Sequence, residues 1–406
     1  MFALRNKFMR SGSLACCILA SFSGPAFAQT VWTSRSSITG YGLSSVTWSG
    51  SQLVTVGRYA FNAVTSSDGL TWTERESGSG GGSGAGFRSV TWAHGQFIIF
   101  SDGDDNILTS PDGLAWTPRP IDNPENRHNM YSVVWIGTQY VAVGVGGDVL
   151  TSPDAVAWKP RPVAADKELR SVTWTGNLLV AVGAEGTVRT SIDGITWTAQ
   201  NPGVTTDLNS IVWTGTQLVA VGAEGAVLTS PDGIQWMARV SGIAQGVGTD
   251  LNGVVWTGTQ LIAVGGNSQV VTPSPILTSP DGITWTPHES GTTRALTAVT
   301  WTGSLFVAVG QQGTILTSPL AGTSVEGSFE PGVHSSEHLL VRGRSMSIRS
   351  QGPHLLELRS LSGNRLDFFS GTGPQEYRLD ASHHPGIYVL RLQADGGTYS
   401  SRVFIP

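Results

Sequence analysis

Residues 208–239 read LNSIVWTGTQLVAVGAEGAVLTSPDGIQWMAR. Four short apolar runs stand out, at 210–213, 218–221, 227–230 and 234–238, labelled here strands A to D. Thr214-Gly215, Gly222-Ala223-Glu224-Gly225 and Pro231-Asp232-Gly233 separate them. Val, Ile, Leu, Trp and Thr fill the runs, and Gly, Asp and Pro fill the gaps, as strands and turns require. Each run is too short for a globular helix, and the stretch has no 3.6-residue period. It is a four-stranded antiparallel unit.

The unit recurs. Trp48, Trp92, Trp135, Trp174, Trp213, Trp256 and Trp301 end a V-x-W run, with Ile211 in place of Val before Trp213, at spacings of 44, 43, 39, 39, 43 and 45 residues. Trp72, Trp116, Trp158, Trp197, Trp236 and Trp285 end an S-x-D-x-x-x-W run. A period of about 40–45 residues with four strands per repeat is a propeller blade. The expected fold is all-β: a seven-bladed β-propeller over 29–322. One blade cannot bury both of its faces, so radial stacking buries the V-x-V and V-x-W faces between neighbours. Repeated at fixed positions, the tryptophans read as packing residues rather than sugar platforms.

The seventh repeat lacks its fourth strand, since Pro319-Leu320-Ala321-Gly322 has neither the Asp nor the final Trp. Val31-Trp32-Thr33-Ser34-Arg35 matches Thr71-Trp72-Thr73-Glu74-Arg75. An N-terminal strand is therefore expected to complete the last blade and remove an open edge.

Residues 1–28 read as a secretory signal: basic Arg5, Lys7 and Arg10, an apolar run at 14–22, and Ala26-Phe27-Ala28 at the cleavage site. A lipoprotein site at Cys16 fits less well, because the apolar run continues past it. Cys16 and Cys17 are the only cysteines, so a chain starting at Gln29 has no thiol chemistry. Removing three cations takes the formal charge from −5 to −8. An acidic, lysine-poor ring argues against nucleic acid as a partner. No later stretch is long and apolar enough to span a membrane.

The repeat stops near residue 322. Residues 323–406 hold alternating runs broken at Ser362-Gly363-Asn364 and Asp395-Gly396-Gly397, which predict a small Ig-like β-sandwich. Residues 355–364 (LLELRSLSGN), 384–392 (HPGIYVLRL) and 401–406 (SRVFIP) resemble the type A sorting domain of the type IX secretion system. That resemblance implies outer-membrane secretion machinery as a partner, and a secreted or cell-surface protein. The last strand here ends in Pro406 without the family's basic residue near the terminus.

The propeller resembles the BNR/Asp-box and YVTN-like superfamily, which includes sialidases, xyloglucanases and the Ycf48-like assembly factors. Asp68, Asp112, Asp154, Asp193, Asp232 and Asp281, with their tryptophans, carry the resemblance, in a box one residue shorter than usual. Read on their own, these aspartates are turn residues: the carboxylate caps backbone N–H groups and the next Gly takes positive φ. Asp154 is followed by Ala155 instead. The resemblance places these turns on the face away from a ligand.

The opposite face collects the B–C loops and the D–A connections, and loops carry function. The candidate ligand-binding residues there are Arg58, Tyr59, Asp102, Asp104, Asp105, Asp148, Glu185, Glu224, Asn267 and Gln312. Arg35, Arg75, Arg119, Arg161 and Arg239 end the D strands, with Gln200 and His288 at equivalent points, as solvated or ion-paired groups or as a ring of partner contacts. The connections 76–87, 121–130 and 241–250 are the longest. No catalytic residue, metal site or cofactor is assigned. A glycosidase needs two carboxylates in different roles, and the loop acids sit at similar repeat positions. No R-I-P motif of a sialidase is present. Asp102-Gly103-Asp104-Asp105-Asn106 resembles a calcium loop without the later bidentate Glu. The expected function is a binding propeller for an extracellular polysaccharide or a surface protein. The alternatives are a glycoside hydrolase and a structural surface protein.

Overall fold

The computed structural model describes residues 31–36, 39–57, 62–76, 86–102, 106–120, 129–161, 167–243, 246, 248–267, 272–319, 333–335, 339–342, 345–349, 351–359, 365–378, 386–394 and 397–405. The chain is all-β. Among the described residues, nine four-stranded antiparallel sheets form, and the only helices are single 3-10 turns. None is long and apolar enough to cross a membrane.

Seven sheets are the repeats. Their A strands, Leu43–Trp48, Gly86–Ala93, Met130–Trp135, Leu169–Trp174, Leu208–Trp213, Leu251–Trp256 and Leu296–Trp301, touch in sequence order, and the last touches the first. They form a closed ring of blades. Burial falls off outward across each blade. B strands such as Leu218–Gly222 are buried at every residue, because a neighbouring blade covers each face. D strands such as Met237–Arg239 lie on the outer rim and are largely exposed.

The core is divided into layers between successive blades. Val219, Val221 and Val227 of blade five pack on Leu251, Leu261, Ala263, Leu277 and Trp285 of blade six. The tryptophans line these layers. Trp158 is fully buried and packs edge-on against Phe100 of the preceding blade at 5.8 Å. The ring closes as the repeat count requires. Thr33–Arg35 pairs with Ile315–Pro319 through Thr33 and Thr317. Trp32 fills the layer between blades six and seven with Phe306, Leu316 and Ile262.

Each C–D turn is built on its aspartate. Asp232 Oδ1 accepts the N–H groups of Ile234 at 2.9 Å and Gln235 at 2.8 Å, while Ser230 Oγ accepts that of Gly233 at 2.8 Å. Asp68, Asp112, Asp193 and Asp281 repeat this pattern, and Asp154 repeats the carboxylate's part of it. Gly233 takes φ 76°, and Ala155 holds the same left-handed turn at φ 61°. This is why the D strand starts at Met237 and not at Ile234: the carboxylate has already claimed the backbone of residues 234 and 235 for the turn. The turns also join blades, since Gln139 Nε2 donates to the Asp193 carbonyl of the next blade at 2.8 Å.

Two further sheets lie beyond the ring. Val333–Ser335, Leu339–Arg342, Ser345–Ile348 and Gln375–Arg378 form one. Pro353–Arg359, Arg365–Thr372, Gly386–Ala394 and Gly397–Ile405 form the other. They share one core, with Met346 and Ile348 meeting Leu356, Leu358, Leu390 and Leu392.

Candidate binding site in the central channel

Every A strand carries one extra residue. Pairing with strand B slips between Leu208 and Ser210, leaving Asn209 as a bulge. The same slip leaves Ser44, Arg88, Tyr131, Arg170, Asn252 and Thr297 in the other blades. A bulge re-aims its side chain out of the strand's alternation. All seven line one cavity of about 860 Å³ at the mouth of the central channel.

In six of the seven blades the bulge faces a glycine that ends strand B; in blade two Ser101 stands at that position. The Asp207 carbonyl docks on the N–H of Ala223 at 2.8 Å, tight against Gly222. A Cβ at Gly222 would collide with that carbonyl. The D–A connection is thereby drawn over the end of strand B, and strand A must absorb one residue before regular pairing begins.

The seven side chains are linked in a circuit. Ser44 Oγ donates to the Phe87 carbonyl at 2.8 Å. The Arg88 guanidinium lies 4.8 Å over the Tyr131 ring. Tyr131 donates to Glu168 Oε1 at 3.3 Å. Arg170 reaches Glu168 at 3.2 Å, Asp207 at 2.8 Å and Asn209 at 2.9 Å. Asn209 Nδ2 donates to the Leu251 carbonyl at 3.0 Å, Asn252 Nδ2 to the Leu296 carbonyl at 2.8 Å, and Thr297 Oγ1 to the Leu43 carbonyl at 2.7 Å. Each member thus contacts the next blade, so the ring is preorganised. Below it, Ser132, Ser171 and Ser210 accept backbone N–H groups of the next inner strand at 3.2 Å.

Charge in the ring is unevenly spread. Burial works against the Arg170 charge, but Asp207 and Glu168 outweigh it and raise its pKa above the ordinary arginine value. Burial likewise pushes Asp207 up, yet the Glu185 N–H and Arg170 hold its carboxyl below the usual range. Asp250 carries one further carboxylate at the rim, bonded to the Glu224 N–H at 3.0 Å and Asn267 Nδ2 at 3.0 Å.

Of the residues singled out from sequence, Asn267 lines the channel. Glu185, Glu224 and Gln312 do not. They occupy the left-handed position of 3-10 turns, at φ 53°, 56° and 55°, and are exposed, while the N–H groups of Glu185 and Glu224 donate to Asp207 and Asp250. Glu185 extends to Lys167, 2.7 Å away. Asp148 sits two positions further on, after the turn, so the loop acids are not equivalent. Arg58, Tyr59, Asp104 and Asp105 lie outside the described residues, as do the Asp102 side chain and most of the connections 76–87 and 121–130. The D-strand arginines serve the blades: Arg35, Arg75, Arg119, Arg161 and Arg239 each place Nε within 2.7–3.2 Å of a C-strand threonine. Gln200 and His288 make the equivalent contact at 2.9 and 2.8 Å. Among the described residues, no group of three or more His, Cys, Asp or Glu is placed to hold a metal ion.

Sequence reasoning passed over the bulge residues, although a signal was there. In the frame from Leu43, Phe87, Met130, Leu169, Leu208, Leu251 and Leu296, the next residue is Ser, Arg, Tyr, Arg, Asn, Asn and Thr. The positions around it repeat while this one changes. Regular alternation would have given it an ordinary place in the strand, so the bulge hid its role.

No protein-family model and no curated protein matches the chain. Solved structures do match. YCF48 bound to D1 peptide aligns over 73% of this chain and 99% of its own, at 18% identity and TM-score 0.59. YCF48 from Cyanidioschyzon merolae aligns over 71% and 98%, at 15% identity and TM-score 0.56. A catalytically inactive virginiamycin B lyase from Staphylococcus aureus, in which a histidine is replaced by alanine, was solved with quinupristin. It aligns over 72% of this chain and 100% of its own, at 9% identity and TM-score 0.62. These likenesses make the repeat region a β-propeller.

Proposed function

We propose that the chain is a secreted or cell-surface binding propeller that takes an extended protein segment into the mouth of its central channel. The ring of seven bulge-borne polar side chains carries this reading. It offers donors and acceptors around an open cavity, which suits a peptide backbone and its polar side chains. A similar propeller, YCF48, was solved with a D1 peptide bound.

A polysaccharide fits less well. Sugar rings stack on exposed aromatic faces. Tyr131 is the one aromatic side chain among the cavity-lining residues, and Arg88 covers its ring. Acid–base catalysis also lacks support. Glu168 and Asp250, the carboxylates that line the cavity, are each engaged by neighbouring donors, Tyr131 and Arg170 for Glu168 and the Glu224 N–H and Asn267 for Asp250. The virginiamycin B lyase was inactivated by replacing a histidine, and among the described residues no histidine lines this channel.

Export rests on the two ends of the chain. The Sec-type signal at 1–28 and the resemblance of 355–406 to a type A sorting domain support passage across both membranes. Truncation after Gly322 should leave the propeller in the periplasm, and normal surface delivery of the truncated protein would remove this part. For binding, residues 29–406 are to be passed over an array of random peptides and a panel of polysaccharides, with reducing sugar measured in parallel. Peptide capture abolished by Arg170→Ala is the expected result. Sugar capture or release without peptide capture would overturn the reading.

A further inference from the structure

Neighbouring repeats show what one corner of the channel lacks. Between blades four and five, Arg170 Nη1 donates to Asp207 Oδ2 at 2.8 Å and to Asn209 Oδ1 at 2.9 Å. Asp207 is fixed from behind by the Glu185 N–H at 2.9 Å. Between blades five and six, the same parts recur one repeat on. Asp250 takes the place of Asp207 and is fixed by the Glu224 N–H at 3.0 Å. Asn252 takes the place of Asn209 as the bulge residue. Asn209 stands where Arg170 stood.

Asparagine is too short to repeat the bridge. Its Nδ2 goes to the Leu251 carbonyl at 3.0 Å and is 3.5 Å from Asn252 Oδ1. The acceptors for a guanidinium are thus retained, while the guanidinium is gone. Asp250 receives only neutral donors, the Glu224 N–H and Asn267 Nδ2, and among the described residues no cation is paired with it. Asn209, Asp250, Asn252 and Asn267 all line the cavity.

We propose that the blade five–six corner, Asp250 with Asn252 Oδ1, is a subsite for an arginine side chain of the bound segment, occupying the place that Arg170 fills one blade earlier. This rests on the reading of the channel as a peptide site. Arginine is favoured over lysine because two acceptors on different residues suit a planar fork better than a point charge.

The test uses residues 29–406 and two small probes, N-acetyl-arginine N-methylamide and its neutral isostere N-acetyl-citrulline N-methylamide, with binding followed by NMR titration. The arginine probe should bind roughly tenfold or more tightly than the citrulline probe, as expected of a charge-assisted pair. Asp250→Asn should remove that preference. Asn209→Arg should remove it too, by letting the chain fill its own subsite, with an unchanged or raised melting temperature. If Asn209→Arg misfolds, the near-isosteric Asp250→Asn carries the test. Equal binding of the two probes, or a preference that survives Asp250→Asn, would overturn the subsite. The random-peptide array separates this from the parent reading. Captured peptides with no enrichment of arginine would sink the subsite and leave the peptide reading standing. No captured peptide, with the arginine probe behaving as expected, would do the reverse.

Discussion

The two ends of the propeller are built on opposite rules. At the C–D turn end the same atoms do the same thing in blade after blade: Ser, Asp and the next left-handed residue make one set of bonds, from Asp68 to Asp281. At the channel mouth the backbone repeats, bulge for bulge, and the side chain it presents does not: Ser44, Arg88, Tyr131, Arg170, Asn209, Asn252 and Thr297. Repetition in side chains marks what every blade needs in order to fold. Repetition in backbone with varied side chains marks a surface free to recognise something that lacks the ring's symmetry.

The largest effect should come from breaking the ring that both ends share. Deleting residues 29–36 strips the outer strand of blade seven and removes Trp32 from its layer. Loss of a buried Trp alone costs about 3–5 kcal/mol. At roughly 2–4 °C per kcal/mol for a domain of this size, the melting temperature should fall by about 10 °C or more. An unchanged melting curve would mean that the ring does not depend on this closure.

Arg170→Ala tests the mouth. Glu168, Asp207 and Asn209 would each lose a donor. Because Arg170 is half-buried, the stability cost should be modest, about 1–2 kcal/mol by urea denaturation, while peptide capture is lost. A variant equally destabilised but still binding would contradict the assignment of the site.

The turn end should give the converse result. Asp232→Ala leaves the N–H groups of Ile234 and Gln235 without their acceptor, at a cost of about 1 kcal/mol, with peptide binding unchanged. Acid provides a second view of these turns. Backbone N–H donors hold the carboxyls of Asp112, Asp154, Asp193 and Asp232 below the ordinary carboxylate range. A depressed folded pKa contributes stability that is complete above the unfolded value and lost as pH falls through the folded one. Denaturant midpoints measured from about pH 5 to pH 2 should therefore fall less steeply for Asp232→Asn than for the parent chain. Identical slopes would show that the turns are not what acid dissolves.

The smallest effect is expected at the B–C rim. Glu185 holds φ 53° on an exposed turn, and its ion pair with Lys167 is a surface one. Glu185→Gly should change stability by no more than about 0.5 kcal/mol, strain relief offsetting entropy and the weak pair, and should leave binding intact. A large loss of affinity would move the site from the channel to the rim.

The sequence by itself determined the propeller. A period carried by Trp48 through Trp301, turn residues at fixed offsets and a displaced last strand at Val31-Trp32 are local patterns, and four short strands per repeat follow from them without knowledge of what they touch. The Asp-Gly turns were legible for the same reason: their bonds span three residues. The site was not legible in that way. Loop position and charge directed attention to Glu185 and Glu224, whose side chains face solvent. Arg170, Asn209 and Asn252 sit within strands, where alternation assigns a face but not a bulge. Only the tertiary structure decided that the Asp207 carbonyl would crowd Gly222, that strand A would slip by one residue, and that the slipped residues of seven blades would meet around one channel. Such convergence depends on contacts some 40 residues apart in the chain, and no local pattern records it.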